Sequence, residues 1–190
     1  MPFDFQTLAI PDVKLVIPKV FPDPRGLFME SYKESAFAEQ GIRGPFPQDN
    51  QSTSHQGVLR GLHFQKAPYA QAKMVQVLSG VIYDVVVDVR PGSATRGQWL
   101  GVTLDAAKPS LLFVPEGFAH GFLVLSEKAH VLYKASSEYR PEAEGGILWN
   151  DPDLAITWPL ANPVLSPKDA ILPRFNDCAP ASGCAIRTDF

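Results

Sequence analysis

In the stretch GVLRGLHFQ, residues 57–65, an arginine and a histidine interrupt a run that otherwise reads as a buried strand. Arg60 offers a planar, permanently charged guanidinium suited to phosphate oxygens. His63 offers an imidazole whose ordinary pKa of about 6.5 lets it take or give a proton near neutrality. More ionisable groups follow in the same setting: Lys73 opens the apolar run KMVQVLSG, and Asp84 and Asp88 break VIYDVVVDV. Charges inside core-like strands are costly unless paired or used, so the cluster points to a polar pocket in the interior or mouth of a small β-structure. Strict alternation sets Arg60 and His63 on opposite faces of a strand. Sharing a pocket therefore requires a phase reset, for which Gly61 marks a candidate bulge. The competing reading of His63 is a core histidine satisfied by a backbone carbonyl.

The elements that must carry these groups are short runs of Val, Ile, Leu, Tyr and Phe separated by Gly, Pro, Asn and Asp: VKLVIPKVF, GLFMESYK, GVLRGLHFQ, AKMVQVLSG, VIYDVVVDVR, QWLGVTLD, SLLFVPEG, HGFLVLS and AHVLYKASSEY. This pattern predicts an all-β chain folded as a barrel or jelly roll, which manages exposed strand edges. Only ESAFAEQG and the segment around SPKDAILP read as helical, and 18 prolines argue against long helices.

The 190 residues, 45% of them hydrophobic, suffice for one sizeable core, and a single domain over residues 1–190 is expected, with fraying from about Arg174 onward. A net charge of −3 supplies no basic field for nucleic acid or acidic lipid. No stretch has the apolar length of a membrane span, and MPFDFQTLAIPDVK has no secretory pattern, so neither nucleic acid nor membrane is an expected partner and a cytoplasmic location is expected. Cys178 and Cys184, in the tail CAPASGCAIRTDF, match no zinc or redox motif and read as reduced.

Pro115, Gly117 and His120 in PEGFAHGF form a P-x-G-x-x-H arrangement that resembles the second signature of the cupin superfamily. Where the first signature has His-x-His and a later Glu, this chain reads His63-Phe64-Gln65. Two histidines are too few donors for a divalent transition metal. The expectation is a cupin-like jelly-roll barrel with a few short helices and no catalytic metal.

DPRGLFMESY, PQDNQSTSHQGVLRGLHFQ, YAQAKMVQVLSGVIYDVVVDVRPGSATRGQW, VPEGFAHGFLVLSEKAHVLYKASSEYRPEAEGGILWNDPDLAITWP and LSPKD together resemble the dTDP-4-dehydrorhamnose 3,5-epimerase family, collinearly over roughly residues 10–173. The resemblance implies a cofactor-free isomerase of dTDP-rhamnose biosynthesis. It would invert C3 and C5 of dTDP-4-dehydro-6-deoxy-D-glucose through an enolate. By the same resemblance His63 is the base, Asp169 orients its ring, Tyr133 is the acid on the opposite face, and Lys73 steadies the enolate oxygen. Each has a plainer reading: Ser166-Pro167-Lys168-Asp169 is also a helix start, Tyr133 a strand core residue, and Lys73 an edge-strand lysine.

Arg25 and Arg60 suit the diphosphate. The family pattern adds Glu30, Gln48, Asp49, Asn50, His120, Glu144 and Lys168 as polar contacts and Tyr139 as a surface for the base. It also implies a homodimer in which the segment bearing Arg25 and Glu30 reaches the partner's site. Three alternatives stand beside this reading: a single-centre 3- or 5-epimerase of a related keto-sugar, a metal-dependent cupin enzyme drawing on Gln65, and a sugar-nucleotide binding module that has lost catalysis.

Overall fold

Alternating apolar residues between turn-forming Gly, Pro and Asn produce thirteen strands in the computed structural model, which describes residues 2–178. In chain order these are β1 (Phe3–Thr7), β2 (Lys14–Pro18), β3 (Val20–Asp23), β4 (Gly26–Met29), then the short helix α1 (Glu34–Ala38), β5 (Gln48–His55), β6 (Leu59–Gln65), β7 (Lys73–Ser79) and β8 (Val81–Asp88). They continue with β9 (Trp99–Asp105), β10 (Leu111–Val114), β11 (Phe118–Val124), β12 (Lys128–Ala135) and β13 (Glu144–Gly146). The segment SPKDAILP forms only a 3-10 turn, Asp169–Ile171.

Two sheets face one another as a cupin-like jelly roll. One has six strands in the order β1-β2-β10-β7-β12-β5, the other five in the order β13-β6-β11-β8-β9. Between them lies the main core, where Val75, Val77 and Val131 of the first sheet meet Ile82, Val86, Phe118 and Phe122 of the second. Period-2 alternation sends the remaining apolar residues outward. Met74 packs under Phe37 of α1, while Val85, Val87 and Leu62 pack beneath Ile147, Leu154 and Phe175.

β3 and β4 stand apart as a two-stranded sheet that joins neither layer. Phe21, Leu27 and Phe28 on this hairpin are exposed at 45%, 60% and 67%.

Two expectations change at the C-terminal end. Residues 174–178 remain in the fold, because Phe175 is buried and its N–H donates to Asp151 Oδ2 at 2.7 Å. Cys178 is disulfide-bonded, which corrects its reading as reduced; spacing does not reveal such a pairing because closure depends on local chain geometry. Cys184 lies outside the described residues. No helix among the described residues is long and apolar enough to cross a membrane.

Candidate active site

The phase reset that the sequence requires is present at Gly61. His63 pairs with His120 and Arg60 with Phe122, so three steps along β6 span two along β11. Arg60 and His63 therefore face the barrel interior together, beside the inward residues His120 and Phe122. Gly61 permits this because its φ of +122° suits glycine, and because β11 lies so close that a Cβ would meet Gly121 Cα at 2.5 Å.

Other strands contribute by simple alternation. Lys73 shares the inward face of β7 with Val75 and Val77, and Tyr133 that of β12 with Val131. On β8 the inward row is Ile82, Asp84, Val86, which sets a carboxylate in the interior. A cleft with a volume of about 420 Å³ opens here, lined by Arg60, His63, Lys73, His120, Tyr133 and Asp169 among others. A second cavity of about 220 Å³ shares His63, Lys73 and Tyr133 with it and adds Gln48, Asn50, Tyr139 and Glu144. The two are adjoining parts of one cleft.

His63 Nε2 donates to Asp169 Oδ1 at 2.7 Å. Burial pushes the Asp169 carboxyl up, but the bonds from His63 and the Gly61 N–H bring it below its usual range. An ionised carboxylate only accepts, so Nε2 carries the ring proton and Nδ1 keeps its lone pair. The Asp169 N–H donates to Ser166 Oγ at 3.0 Å, so the hydroxyl of Ser166 secures this short turn while the Asp169 carboxylate meets His63.

Lys73 is drawn down to about 8, chiefly by burial, with Asp84 and Glu144 pulling it back up. The exposure it keeps is to the cleft itself. Tyr133 is raised above the usual phenol range by burial, against an opposing pull from the Arg60 charge. His120 Nε2 donates to Asp84 at 2.9 and 3.0 Å to its two oxygens. Arg60 Nε donates to Ser54 Oγ at 2.9 Å, which leaves the rest of the guanidinium for a ligand.

At the far end, the Tyr139 hydroxyl donates to Glu144 Oε2 at 3.0 Å and Lys168 Nζ pairs with Glu144 Oε1 at 2.5 Å. Gln48 Oε1 accepts from the Tyr139 N–H at 2.7 Å, and Gln48 Nε2 donates to Asn50 Oδ1 at 2.9 Å.

Three expected residues are not brought to this cleft. Asp49 alternates outward between Gln48 and Asn50 and pairs with Lys134 at 2.7 Å. Arg25, with a side chain 90% exposed, sits in the β3–β4 turn and pairs with Asp23 of the same hairpin. Glu30 follows β4 on that hairpin. Gln65, the extra donor that a metal-dependent reading draws on, donates from Nε2 to the carbonyls of Tyr69 and Glu138 and accepts the Arg140 N–H. Among the described residues no three His, Cys, Asp or Glu side chains converge as a metal set.

Of the two acids that break β8, Asp84 reaches the interior beside His120, whereas Asp88 is bonded by Arg90, Ser93 and Thr95 away from the cleft. The sequence marks both as acids in a core-like strand and assigns neither a role.

The family model described as dTDP-4-dehydrorhamnose 3,5-epimerase matches residues 7–177. The enzyme of that name from Salmonella typhimurium is 53% identical over 167 residues, 87% of this chain and 91% of its own. A dTDP-6-deoxy-D-glucose-3,5-epimerase from Legionella pneumophila, solved with dTDP-4-keto-L-rhamnose, is similar at a TM-score of 0.88 and 45% identity, over 92% of this chain and 93% of that one. A 3'-monoepimerase from Streptomyces bikiniensis, solved with dTDP-quinovose, is similar at 0.85 and 36% identity, over 91% and 88%. With its barrel, its histidine–aspartate pair and a match along nearly its whole described length, the chain belongs to the dTDP-4-dehydrorhamnose 3,5-epimerase family.

Proposed function

We propose that this cleft inverts C3 and C5 of dTDP-4-dehydro-6-deoxy-D-glucose, giving dTDP-4-dehydro-L-rhamnose, with His63 removing each proton and Tyr133 returning one from the other side. The chain is an isomerase by family. The observation that carries the assignment of roles is that His63 and Tyr133 line the same cleft from opposite sheets. Facing sheets pack about 10 Å apart, so side chains from the two layers can reach the two faces of one sugar ring.

Both carbons flank the ketone, so the same enolate oxygen gathers charge in each half-reaction. Lys73 lines the cleft, and its ammonium suits that oxygen as a preorganised partner. Asp169 holds the His63 ring with Nδ1 available and stabilises the imidazolium once the proton is taken. Arg60 and Lys168 suit the diphosphate, His120, Gln48, Asn50 and Glu144 the polar edge of the sugar, and Tyr139 the base.

The reading includes a homodimer. A lone two-stranded hairpin with exposed aromatic residues is marginal in water. The β3–β4 hairpin gains cover if a second copy receives it, delivering Arg25 and Glu30 to that copy's cleft.

The similarity to a 3'-monoepimerase keeps a second reading in view, inversion at one centre only. The experiment is conversion in deuterated water followed by NMR. Label at both C3 and C5 supports the double inversion. Label at one carbon supports the single-centre alternative, and label at neither overturns the enolate chemistry.

A further inference from the structure

His63 and His120 are direct partners across β6 and β11, and each ring gives its Nε2 to a buried carboxylate, Asp169 for one and Asp84 for the other. The cleft thus holds two histidine–aspartate pairs built alike, of which the proposed mechanism uses one. Asp84 is 0% exposed, and its hydrogen-bond donor among the described residues is the His120 ring. A carboxylate so fully withdrawn from water needs countercharge close by. Lys73 is the cation whose charge Asp84 favours.

Resting on the proposed function, we infer that Asp84 is a positioning residue that fixes the His120 ring in the cleft that Lys73 also lines. It grips His120 by Nε2, which fixes the ring at the cleft wall, and its charge favours the Lys73 ammonium opposite the ketone oxygen. His120 lines the cleft, and no protein group among the described residues bonds its Nδ1. As negative charge grows on the enolate oxygen, Lys73 acts on it with the His120 ring held nearby, and Asp84 favours the charged form of Lys73. The charged and titratable groups that line the cleft with Lys73 and His120 are Arg60 and His63 from β6, Tyr133 from β12, Tyr139 after it, Glu144 from β13, and Lys168 and Asp169 from the 166–169 turn.

Two measurements test this. In the unaltered protein with ¹⁵N-labelled histidine, His120 Nε2 is expected to carry a proton bonded to Asp84; an Nε2 without a proton overturns the inference without any substitution. In Asp84→Asn, deuterium exchange into the keto-sugar is expected to slow on the order of 10²-fold. The alkaline fall in rate is expected at lower pH, because Lys73 has lost a favourable charge, while dTDP affinity stays within about two-fold because the diphosphate contacts lie elsewhere. An Asp84→Asn enzyme with the parent's rate and pH profile overturns the inference. His63→Asn, run alongside, separates the two readings. An inactive His63→Asn with an unimpaired Asp84→Asn removes only the role of Asp84, whereas an active His63→Asn removes the assignment of the cleft itself.

Discussion

Gly61 of β6 lies against Gly121 of β11 so closely that a Cβ on the first would come within 2.5 Å of the second's Cα and 2.8 Å of the His120 carbonyl. This contact lets β6 carry an extra residue and turn both Arg60 and His63 inward. Gly61→Ala therefore meets both a backbone clash and an unfavourable φ. The expected cost is about 1–3 kcal/mol from overpacking, with further strain from φ. Thermal unfolding should show the loss, and exchange activity should fall more steeply than stability because His63 is displaced.

Asp169→Asn preserves the shape of the side chain but offers an amide N–H to the ring, favouring the tautomer with its proton on the wrong nitrogen. The expected loss in turnover is on the order of 10⁴-fold, as when other histidine-orienting aspartates are so changed. Binding of dTDP, read by calorimetry, should be little altered.

In the proposed mechanism Lys73 serves as the ammonium, and burial brings it down to about 8. Activity should therefore decline as pH rises through about 8, when the folded enzyme releases that proton. Lys73→Met should lose about 10²–10³-fold in rate with no such alkaline limb left. An unchanged limb in that variant assigns the ionisation to another group.

The exchanged hairpin can be tested by complementation. Co-expressed chains bearing Arg25→Ala and His63→Asn form a mixed dimer. If Arg25 serves the partner's cleft, one of its two sites is intact, and the mixed dimer should have about half the parent's activity under conditions where either homodimer is impaired. If Arg25 serves its own chain, the mixed dimer has no intact site.

The sequence showed the apolar strands well because burial on at least one face writes a pattern into them. β5 was illegible for a physical reason. In QDNQSTSH the inward positions are Gln48 and Asn50, which line a polar cleft, then Ser52 and Ser54, the last bonded by Arg60, so no apolar alternation remains. The same alternation explains why Gln48 and Asn50 reach the cleft while Asp49 between them does not. The pocket itself was foreshadowed by Arg60, His63 and Lys73 as charges in core-like strands. Asp169 could not be found that way, because a contact over 106 positions of sequence leaves no local mark. Arg25 and Glu30 belong to a hairpin that joins neither layer, so no pattern of burial marks them.

The central claim is that His63 and Tyr133 handle protons on opposite faces of one keto-sugar. Its most direct test follows hydrogen at C3 and C5 in deuterated water with His63→Asn and Tyr133→Phe in parallel. His63→Asn should lose exchange at both carbons by roughly 10²–10⁴-fold, whereas Tyr133→Phe should still remove the C5 proton but fail to complete inversion there. Exchange at the parent's rate in His63→Asn, or full C5 inversion in Tyr133→Phe, would contradict it.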